Sequence, residues 1–502
     1  MAEYKTPGVY IEEISAFPNS VVGVATAVPA FIGYTEKAQN GRLNPSRITS
    51  LGEFTHYFGG APAPVFTLGF REKGEPLDPL QGATIKAPGG GGGGLIDLKR
   101  LTPAFALYDS MRLFFSNGGG ACYVVSVGGY ADQIEAGPLL DGLLTLEKVG
   151  EPTLLVAPET TRLNPAGSAK VQQAMLAQAG TMRDRFAILD IHRGWLSRQD
   201  DAGDPVESFR SGIGSDHLGF GAAYYPWLRA TINEPRDFSL ADFAPDQGDA
   251  LADLLKDQPL AVKPKSRDAV LAEIEKLRAP PEDLAPLDKI LRIVSPLYHD
   301  MLAAMAEAAN FAAPGGLMAG IYTSADNSRG VWNAPANVSV SAISDLTTPL
   351  EDAAQEDLNA PVSGRSINAF RNFSNRGDVL VWGARTLDGN STDWRYIAAR
   401  RTAIMLEQSI KLAVASYVFE PNDANTWVVI RGMVENFLTG IWKQGGLAGA
   451  RPADAFQVRV GLGQTMTAID VLEGRLRLSV LVAMVRPAEF IEISFEQAMQ
   501  KN

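Results

Sequence analysis

The sequence predicts a multidomain protein of two fold classes, with a mostly parallel α/β layer in the N-terminal half and an α+β domain in the C-terminal half. Strand and helix patterns alternate from Thr102 to Ile191. Strands separated by helices need crossover connections, so their sheet should be largely parallel and buried on both faces. After Gly315, two long helix patterns precede two strands of alternating apolar residues. Both ends of the chain read as single strands without a local partner.

The terminal strand patterns predict two β-arms, because an unpaired row of backbone N–H and C=O groups pairs with an open sheet edge. Proline residues flank both patterns, and we interpret Pro18 and Pro487 as hinges where the arms leave the body. The residues expected to pair are Val9, Tyr10 and Ile11 in the first arm and Phe490, Ile491, Ile493 and Phe495 in the second. Pairing between subunits and pairing within one subunit both remain open.

Composition limits the function classes. The chain has 502 residues, 46% apolar and 20% charged, which indicates folded domains with sizeable cores. A net charge of −12 argues against a dominant nucleic-acid surface. The one cysteine, Cys122, lies in an apolar strand pattern and is expected to be a buried thiol. Val21 to Tyr34 is the longest weakly polar stretch and falls short of the roughly 20 residues that a membrane helix needs, and no secretory signal pattern opens the chain.

The sequence of the N-terminal half predicts a series of strands and helices. A strand is expected over Val21–Tyr34 and a helix and strand layer over Arg47–Tyr57. Residues 59–94 are rich in Gly and Pro and end in six glycines, so we expect a mobile loop there. Thr102 as N-cap and Pro103 at the first helical position predict a helix that stops at Asn117. The later predictions are strands at 121–127, 153–157, 185–191 and 217–228 and helices at 139–148 and 169–180.

The second half begins with an inserted segment. Residues 233–289 are acidic with helical patches, which favours a packed helical insertion over a linker. Helices are expected near 392–416 and 425–443, the second with a stripe of Trp427, Ile430, Val434, Phe437 and Ile441 and with Gly445 as its C′ residue. The resulting domains are an arm (1–20), a region with the Gly/Pro-rich loop (21–100), an α/β domain (101–232), an acidic helical surface insertion (233–310), a C-terminal domain (311–488) and a second arm (489–502).

No motif predicts a catalytic, cofactor or metal site. The third glycine of a dinucleotide fingerprint is replaced by Met466 after Gly461 and Gly463, and the four histidines have no metal-ligand spacing. Asp190 and His192 alternate on one strand and could begin an acid and base pair, but no GxSxG nucleophile turn accompanies them. A hydrolase on an α/β fold therefore stays only as an alternative function.

Arginine is concentrated near the first C-terminal helix, within an otherwise acidic chain. Such a face could bind an acidic partner or form internal ion pairs with Asp378, Asp388, Asp393 and Glu407, and the sequence leaves both interpretations open. The cluster comprises Arg365, Arg371, Arg376, Arg385, Arg395, Arg400 and Arg401.

Several segments together resemble contractile tail sheath proteins. They are KTPGVYIEEI, NGGGACYVVSV, AGIYTSADNSRGVWNAPAN, NAFRNFSNRGDVLVWGARTL with DWRYIAARR, FEPND, WKQGGLAGA and VRPAEFIEI, and they occur in the order of that family. The segment from Asn233 to about Asn310 is longer than the family pattern.

The resemblance implies a structural subunit, without cofactor or enzymatic activity, of a phage tail sheath or of an extracellular contractile injection system. Subunits of such sheaths stack as six-fold rings around an inner tube, attach to a baseplate and a terminator or cap, and contract to drive the tube through a target envelope. Neither nucleic acid binding nor membrane insertion is implied. Assembly is expected in the bacterial cytoplasm, followed by residence in a virion tail or a released particle.

The resemblance also implies details of fold and contact. The N-terminal half should resemble an inactive subtilisin-like domain, and arms from neighbouring subunits should complete the sheet of the C-terminal domain. Tube contact is assigned to the helix after Asp393, through Arg400, Glu407 and Lys411. A non-contractile filament or tube is the remaining alternative function.

Overall fold

A computed structural model describes residues 20–87, 94–279, 283–373 and 378–490, and the structural statements below concern these residues. The strands are β1 (Pro29–Tyr34), β2 (Ser46–Ile48), β3 (Phe66–Arg71), β4 (Gly82–Lys86), β5 (Leu95–Arg100), β6 (Cys122–Gly128), β7 (Leu154–Val156), β8 (Phe186–Asp190), β9 (Gly221–Tyr225), β10 (Leu228–Ala230), β11 (Phe311–Ala312), β12 (Val338–Ser339), β13 (Ile343–Leu346), β14 (Asn368–Asn372), β15 (Val379–Trp382), β16 (Phe456–Val460) and β17 (Leu478–Val482).

The helices alternate with the strands in the first half and lengthen toward the C-terminus. They are α1 (Leu51–Phe58), α2 (Leu107–Ser116), α3 (Ala136–Thr145), α4 (Pro165–Met182), α5 (Pro205–Gly212), α6 (Gly248–Lys256), α7 (Pro264–Glu275), α8 (Ala285–Val294), α9 (Pro296–Ala309), α10 (Gly315–Arg329), α11 (Asp352–Asn359), α12 (Ile397–Ala415), α13 (Ala424–Lys443), α14 (Pro452–Ala455) and α15 (Ala468–Leu472).

A nine-stranded sheet organises the larger part of the chain, in the order β12-β15-β14-β9-β8-β7-β1-β6-β2. Its central strands, from β6 to β14 in that order, pair in parallel, while β2, β15 and β12 add antiparallel edges. The prediction of a largely parallel sheet is therefore confirmed. The connections between the parallel strands carry helices, as crossovers in such a sheet must.

Helices cover both faces of this sheet, as its continuous apolar runs require. In β1, Phe31 packs in one core with residues of α1, α2 and α10, while Ile32 packs in a second core with residues of α3, α4 and α5. The same alternation occurs in β8, where Ile188 faces the first core and Leu189 the second. Cys122 is a free, buried cysteine in the first core, as expected, and burial raises the pKa of its thiol.

Two predicted strands differ from the observed ones. The expected strand from Val21 to Tyr34 is confined to β1, and residues 21–28 precede it without strand pairing. The expected strand from His217 to Leu228 divides into a short 3-10 turn, β9 and β10, and β10 belongs to a separate three-stranded sheet with β11 and β13. Apolar composition alone could not show where the chain leaves one sheet for the other.

Helix α2 begins later than predicted because a distant carboxylate caps it. The prediction placed Thr102 at the N-cap, but the N-cap residue is Ala106, which makes no side-chain cap bond. The backbone N–H groups of Ala106 and Leu107 instead donate to Oε1 of Glu159, at 3.2 and 2.9 Å. Glu159 is fully buried, and burial raises its pKa to about 7 against the opposing effect of these bonds. The end of the helix at Asn117 agrees with the prediction.

The Gly/Pro-rich region contains regular structure that the sequence did not indicate. Strands β3, β5 and β4 form a three-stranded antiparallel sheet, so the expectation of a loop from 59 to 94 is wrong over β3 and β4. Glycines 89–93 of the six-glycine run lie outside the described residues. The sheet forms because Phe66, Ile96 and Leu98 are buried in one core with α6, α8 and α9. The acidic insertion thus packs as helices on this sheet.

The chain divides into two compact units. Over the described residues, one unit comprises 20–24 and 402–486, and the other comprises 25–401 and 487–490. This division falls after Arg401, whereas the change in sequence texture suggested a domain starting at residue 311. The reason is that β12, β14 and β15 extend the same sheet that contains β9. We call the units the C-terminal unit (402–486 with 20–24) and the sheet unit (25–401 with 487–490), over the residues described.

The C-terminal unit packs around α13, which extends over the range predicted. Its buried residues are Ile430, Met433, Val434, Leu438 and Ile441. The predicted stripe shares three of them, while Trp427 and Phe437 are only half-buried. Gly445 has a φ of 83° and follows the helix as predicted for a C′ residue, a backbone conformation that glycine adopts without strain.

The buried carboxyl of Glu159 predicts a pH-dependent stability. Its native pKa of about 7 exceeds the ordinary 4.5, so between these values the native state holds a proton that the unfolded chain has released. Stability should fall as pH rises through this interval, by about 3 kcal/mol from this group, and level off above it. Glu159→Gln should reduce the fall by that amount, measured by urea unfolding at several pH values. The exposed Glu147→Gln is the control, and an unchanged profile in Glu159→Gln would contradict the assignment.

Candidate functional site

The C-terminal unit contains a small sheet of β16 and β17. The strands are antiparallel, with Phe456 opposite Val482, Val458 opposite Val480 and Val460 opposite Leu478. These pairs place the apolar residues of both strands except Leu481 on one face, as their alternation predicted. In the described part of the chain, no third strand joins this sheet.

Burial in the small sheet is uneven. Val458 and Val460 of β16 are buried, whereas the apolar residues of β17 are half-buried and Leu481 is 49% exposed. A two-stranded sheet is marginally stable in water without further packing or strands. Beyond the end of β17, Leu447 forms a bridge with Met484. The sheet therefore has strand edges on which further backbone could pair.

The segment that follows β17 is fixed to the sheet unit by one ion pair. Arg385 donates from Nε to Oε1 of Glu489 at 2.8 Å and from Nη2 to Oε2 at 2.5 Å, and Tyr396 donates to Oε2 at 3.3 Å. The side chains are 6% and 19% exposed. Burial opposes ionisation of Glu489, but the hydrogen bonds and charge of Arg385 hold its pKa below the usual value. We call this pair the C-terminal anchor.

A second ion pair holds the segment that enters β1. Arg401 and Asp326 form a bidentate pair at 3.0 and 2.6 Å, and each side chain is 3% exposed. Thr26 donates to Asp326 at 2.5 Å, and its carbonyl accepts from Arg401 at 2.9 Å. We call this group the N-terminal anchor. Within the C-terminal unit, Val24 donates its backbone N–H to Oγ of Ser409 on α12 at 3.0 Å.

The predicted arm and hinge residues lie partly within the described chain. Phe490, directly after the C-terminal anchor, is 76% exposed, and Pro487 is half-buried before it. The remaining predicted residues lie outside the described part of the chain; they are Val9, Tyr10, Ile11, Pro18, Ile491, Ile493 and Phe495. The role of both arms stays a prediction.

The predicted tube-contact residues differ in their surroundings. The Arg400 guanidinium lies 3.6 Å from the ring centroid of Trp394 and 4.3 Å from that of Phe220, an arrangement typical of cation–π stacking. Glu407 and Lys411 are exposed on the C-terminal unit. Among the described ion pairs none joins Glu407 to Lys411, although their spacing would allow one.

Much of the arginine cluster forms internal contacts. Besides the two anchors, Arg371 pairs with Asp352 at 2.7 Å. Arg365 and Arg395 donate to the carbonyls of Gly214 and Gly389, both at 2.8 Å. Arg376 lies outside the described residues. The internal interpretation is thus the one that the contacts favour.

Asp190 has a structural partner. Its Oδ1 accepts from the backbone N–H of Gly315 at the start of α10, at 2.7 Å, and burial raises its pKa to about 7. Burial lowers the pKa of His192. No cluster of metal-ligating residues occurs within the described ranges. No helix there is long and apolar enough to cross a membrane.

Sequence reasoning missed the anchors and an exposed apolar surface. Arg385 and Glu489 are 104 positions apart, and no local pattern signals such a pair. Val418 and Phe419 follow α12 in the C-terminal unit and are 62% and 102% exposed. Only the segment FEPND, which begins at Phe419, had singled out part of this surface.

Comparisons with known proteins show which proteins the chain resembles. Residues 390–498 match the family model described as the phage tail sheath C-terminal domain. The sheath of the extracellular contractile injection system PVC, solved in the contracted state, is 26% identical, with 99% of each chain covered and a TM-score of 0.62. The helical sheath of the anti-feeding prophage (AFP), also contracted, is 27% identical, with 99% of this chain and 100% of that one covered and a TM-score of 0.59.

A chain of the AFP baseplate, solved with 6-fold symmetrisation, gives the same identity, coverage and TM-score. No curated protein matches the chain. Together with the mixed α/β fold, these similarities define a structural subunit of a contractile sheath. The chain matches the tail sheath family model in its C-terminal region and is similar to contractile sheath proteins over nearly its full length, as its sequence motifs indicated.

The C-terminal anchor predicts a large effect of a single truncation. Glu489→Ala leaves the buried guanidinium of Arg385 without its carboxylate, which should lower the free energy of unfolding by about 3 kcal/mol. Asp352→Ala is the matched control, because Asp352 is 91% exposed and its pair with Arg371 should contribute about 1 kcal/mol or less. Urea unfolding of both variants measures the difference. Equal losses in the two variants would show that the anchor is no stronger than a surface pair.

Proposed function

We propose that this chain polymerises as stacked six-fold rings around an inner tube and contracts to drive that tube through a target cell envelope. The observation that carries the proposal is the small β16–β17 sheet, which lacks a third strand in the described chain and lies in the region matching the sheath C-terminal domain. Both contracted sheath structures resemble the chain over nearly its full length.

The proposed lattice is held together by the two arms. An arm that adds to β16 or β17 of a neighbouring subunit would satisfy backbone groups at the sheet edge and cover the half-buried face of β17. The exposed Phe490 beside an anchored Glu489 supports this role for the second arm. In such a contact, the arm of one subunit binds a different surface on its neighbour. Heterologous contacts of this kind, when they do not close into a ring, generate helical filaments.

Contraction is proposed to be a movement of nearly rigid units about short linkers. Pro18 and Pro487 are the proposed hinges, and Pro487 lies two residues before the C-terminal anchor, which would keep the rotation close to the proline. Many subunits repacking together would supply the work, so no nucleotide is needed. The α/β half is proposed to resemble a subtilisin-like domain without its activity.

Partners and location follow from the same proposal. The chain would contact further copies of itself, an inner tube protein, a baseplate and a terminator or cap. The AFP match comes from a baseplate structure, which supports the baseplate contact. The particle would be assembled in the bacterial cytoplasm and act as a virion tail or a released extracellular particle, and the PVC match supports the second.

For the tube contact, we propose that Glu407 and Lys411 act directly and that Arg400 supports their helix. Glu407 and Lys411 are exposed, so their charges are available to a partner, whereas Arg400 is stacked on two aromatic rings. Glu407 and Lys411 are four positions apart on α12, within the C-terminal unit, which is the spacing of neighbours on one helix face.

Deleting the arms tests the proposed lattice. The full-length chain should form long sheaths with two lattice diameters, extended and contracted, in electron micrographs. Variants lacking residues 1–15 or 490–502 should form short rings or monomers, because each loses the strand that would bind a neighbour. Deleting Gly90–Gly92 is the control for shortening the chain and should leave assembly intact. Normal long sheaths from both arm deletions would refute the proposal that the arms hold the lattice together. A single lattice diameter under all conditions would favour a non-contractile filament.

Charge reversal tests the tube contact. The double variant Glu407→Lys, Lys411→Glu should co-sediment about tenfold less well with the inner tube. Each reversed charge would repel the group on the tube that the native charge attracts. Self-assembly without the tube should be unchanged. Glu420→Lys, an exposed residue of the same unit, is the control. Wild-type co-sedimentation of the double variant would place the tube contact elsewhere.

A further inference from the structure

The parallel sheet has a topological switch point, where successive strands are added first on one side of β1 and then on the other. Strand β1 lies between β6 and β7 in the sheet, so the chain moves to one side of β1 and then crosses to the other. At such a point, the connections leave the carboxyl ends of neighbouring strands in opposite directions and open a crevice where ligands bind. Residues Pro158–Arg162 follow β7 at this place as a 3-10 turn.

A cavity of about 120 Å³ lies beside this turn. Its polar lining includes Arg100, Asp109, Arg162 and Asn233, and its apolar lining includes Phe105 and Phe238. All these residues belong to the sheet unit. A water molecule needs about 10–15 Å³ of such space, so the cavity has room for a small polar group of several atoms.

Arg162 is the residue of the cavity lining whose buried side-chain atoms lack hydrogen-bond partners in the described part of the chain. Its Nε and Nη1 atoms are buried, and neither has a hydrogen-bond acceptor within the described part of the chain. The guanidinium lies 5.5 Å from the ring centroid of Trp227. Burial, and then the nearby charge of Arg100, lower the pKa of Arg162 to about 10. A buried guanidinium with two unused donors is costly unless an acceptor occupies the adjacent space.

The carboxylates near the cavity have bonds elsewhere. Asp109 lies 3.5 Å from Arg112. Asp78 accepts from the backbone of Leu80 at 2.9 Å, and Asp237 accepts from that of Glu234 at 2.7 Å. The charges of Glu159, Asp109 and Asp78 favour the charged form of Arg162, and Oε2 of Glu159 is itself buried without a hydrogen-bond donor, but no described carboxylate forms a hydrogen bond with Arg162. Within the described residues, its Nε and Nη1 atoms therefore lack a hydrogen-bond acceptor.

We propose that this cavity binds a small oxyanion, a carboxylate or phosphate group, with Arg162 as its main ligand and Arg100 as a second positive charge. The planar guanidinium pairs with two oxygens of one anionic group through Nε and Nη2 or through Nη1 and Nη2, so an anion in either position would use one of the two buried donor atoms. The apolar lining restricts the size of the anion. This binding site is separate from the proposed assembly role and does not depend on it.

Calorimetric titration of the full-length chain tests the site. Inorganic phosphate, sulfate and acetate are titrated separately up to about 10 mM, because a single small group binds in the millimolar range or somewhat below. At least one of them should bind with one-to-one stoichiometry. Stronger binding of phosphate or sulfate than of acetate assigns the site to a tetrahedral anion, and the reverse order assigns it to a carboxylate.

Variants locate the binding. Arg162→Gln should weaken the affinity about tenfold or more, because it removes both the charge and the forked donors. Arg162→Lys keeps the charge without the fork and should show a similar loss, which provides a second variant if the first does not fold. Arg236→Gln, at an exposed arginine, is the control and should bind as the wild type does. Absence of binding of all three anions to the wild type would overturn the proposal, as would unchanged binding in both Arg162 variants.

Discussion

Two buried arginine–carboxylate pairs determine how the chain passes between its compact units. The chain crosses between the units after Val24, after Arg401 and after Arg486. Thr26 and Arg401 belong to the N-terminal anchor, and Glu489 belongs to the C-terminal one, so each crossing is followed or preceded within three residues by a fixed point in the sheet unit. Bidentate pairs of low exposure fix orientation as well as position. In the proposed lattice, such fixed points would set the direction in which the arms leave the sheet unit.

The small β16–β17 sheet is a second constraint on the structure, because its two strands do not bury all of their apolar side chains. An isolated hairpin of this size gains little stability alone, and β17 keeps its apolar residues half-exposed. In a polymer, an arm from a neighbouring subunit would pair with the edge strand, which would then lie in the interior of the sheet. Folding and assembly would then share one interaction, which would account for a sheet of only two strands in the described part of the chain.

The parts that the sequence predicted are those encoded by local periodicity. Continuous apolar runs gave the parallel strands, and the 3-4 spacing from Trp427 to Ile441 gave α13 with its end at Gly445. The misses arise from contacts distant in sequence. Glu159 caps α2 from 53 positions away, β3 to β5 are stabilised by α6, α8 and α9, and Arg385 finds Glu489 only in the fold. For the candidate site, the family motifs indicated the region of the chain, whereas the two anchors could be identified only from the three-dimensional structure. The arms themselves stay predictions.

The carboxyl ends of the parallel strands show how a structural protein uses a region that binds substrates in other α/β folds. Glu159 after β7 accepts from the start of α2, and Asp190 at the end of β8 accepts from the start of α10. Both carboxyls thus bind helix N-termini, where a negative charge is favoured. Arg162, three positions after Glu159, has buried Nε and Nη1 atoms that find no hydrogen-bond acceptor within the described residues. Because buried donors in native proteins nearly always have partners, these two atoms are the strongest reason to look for a ligand at Arg162.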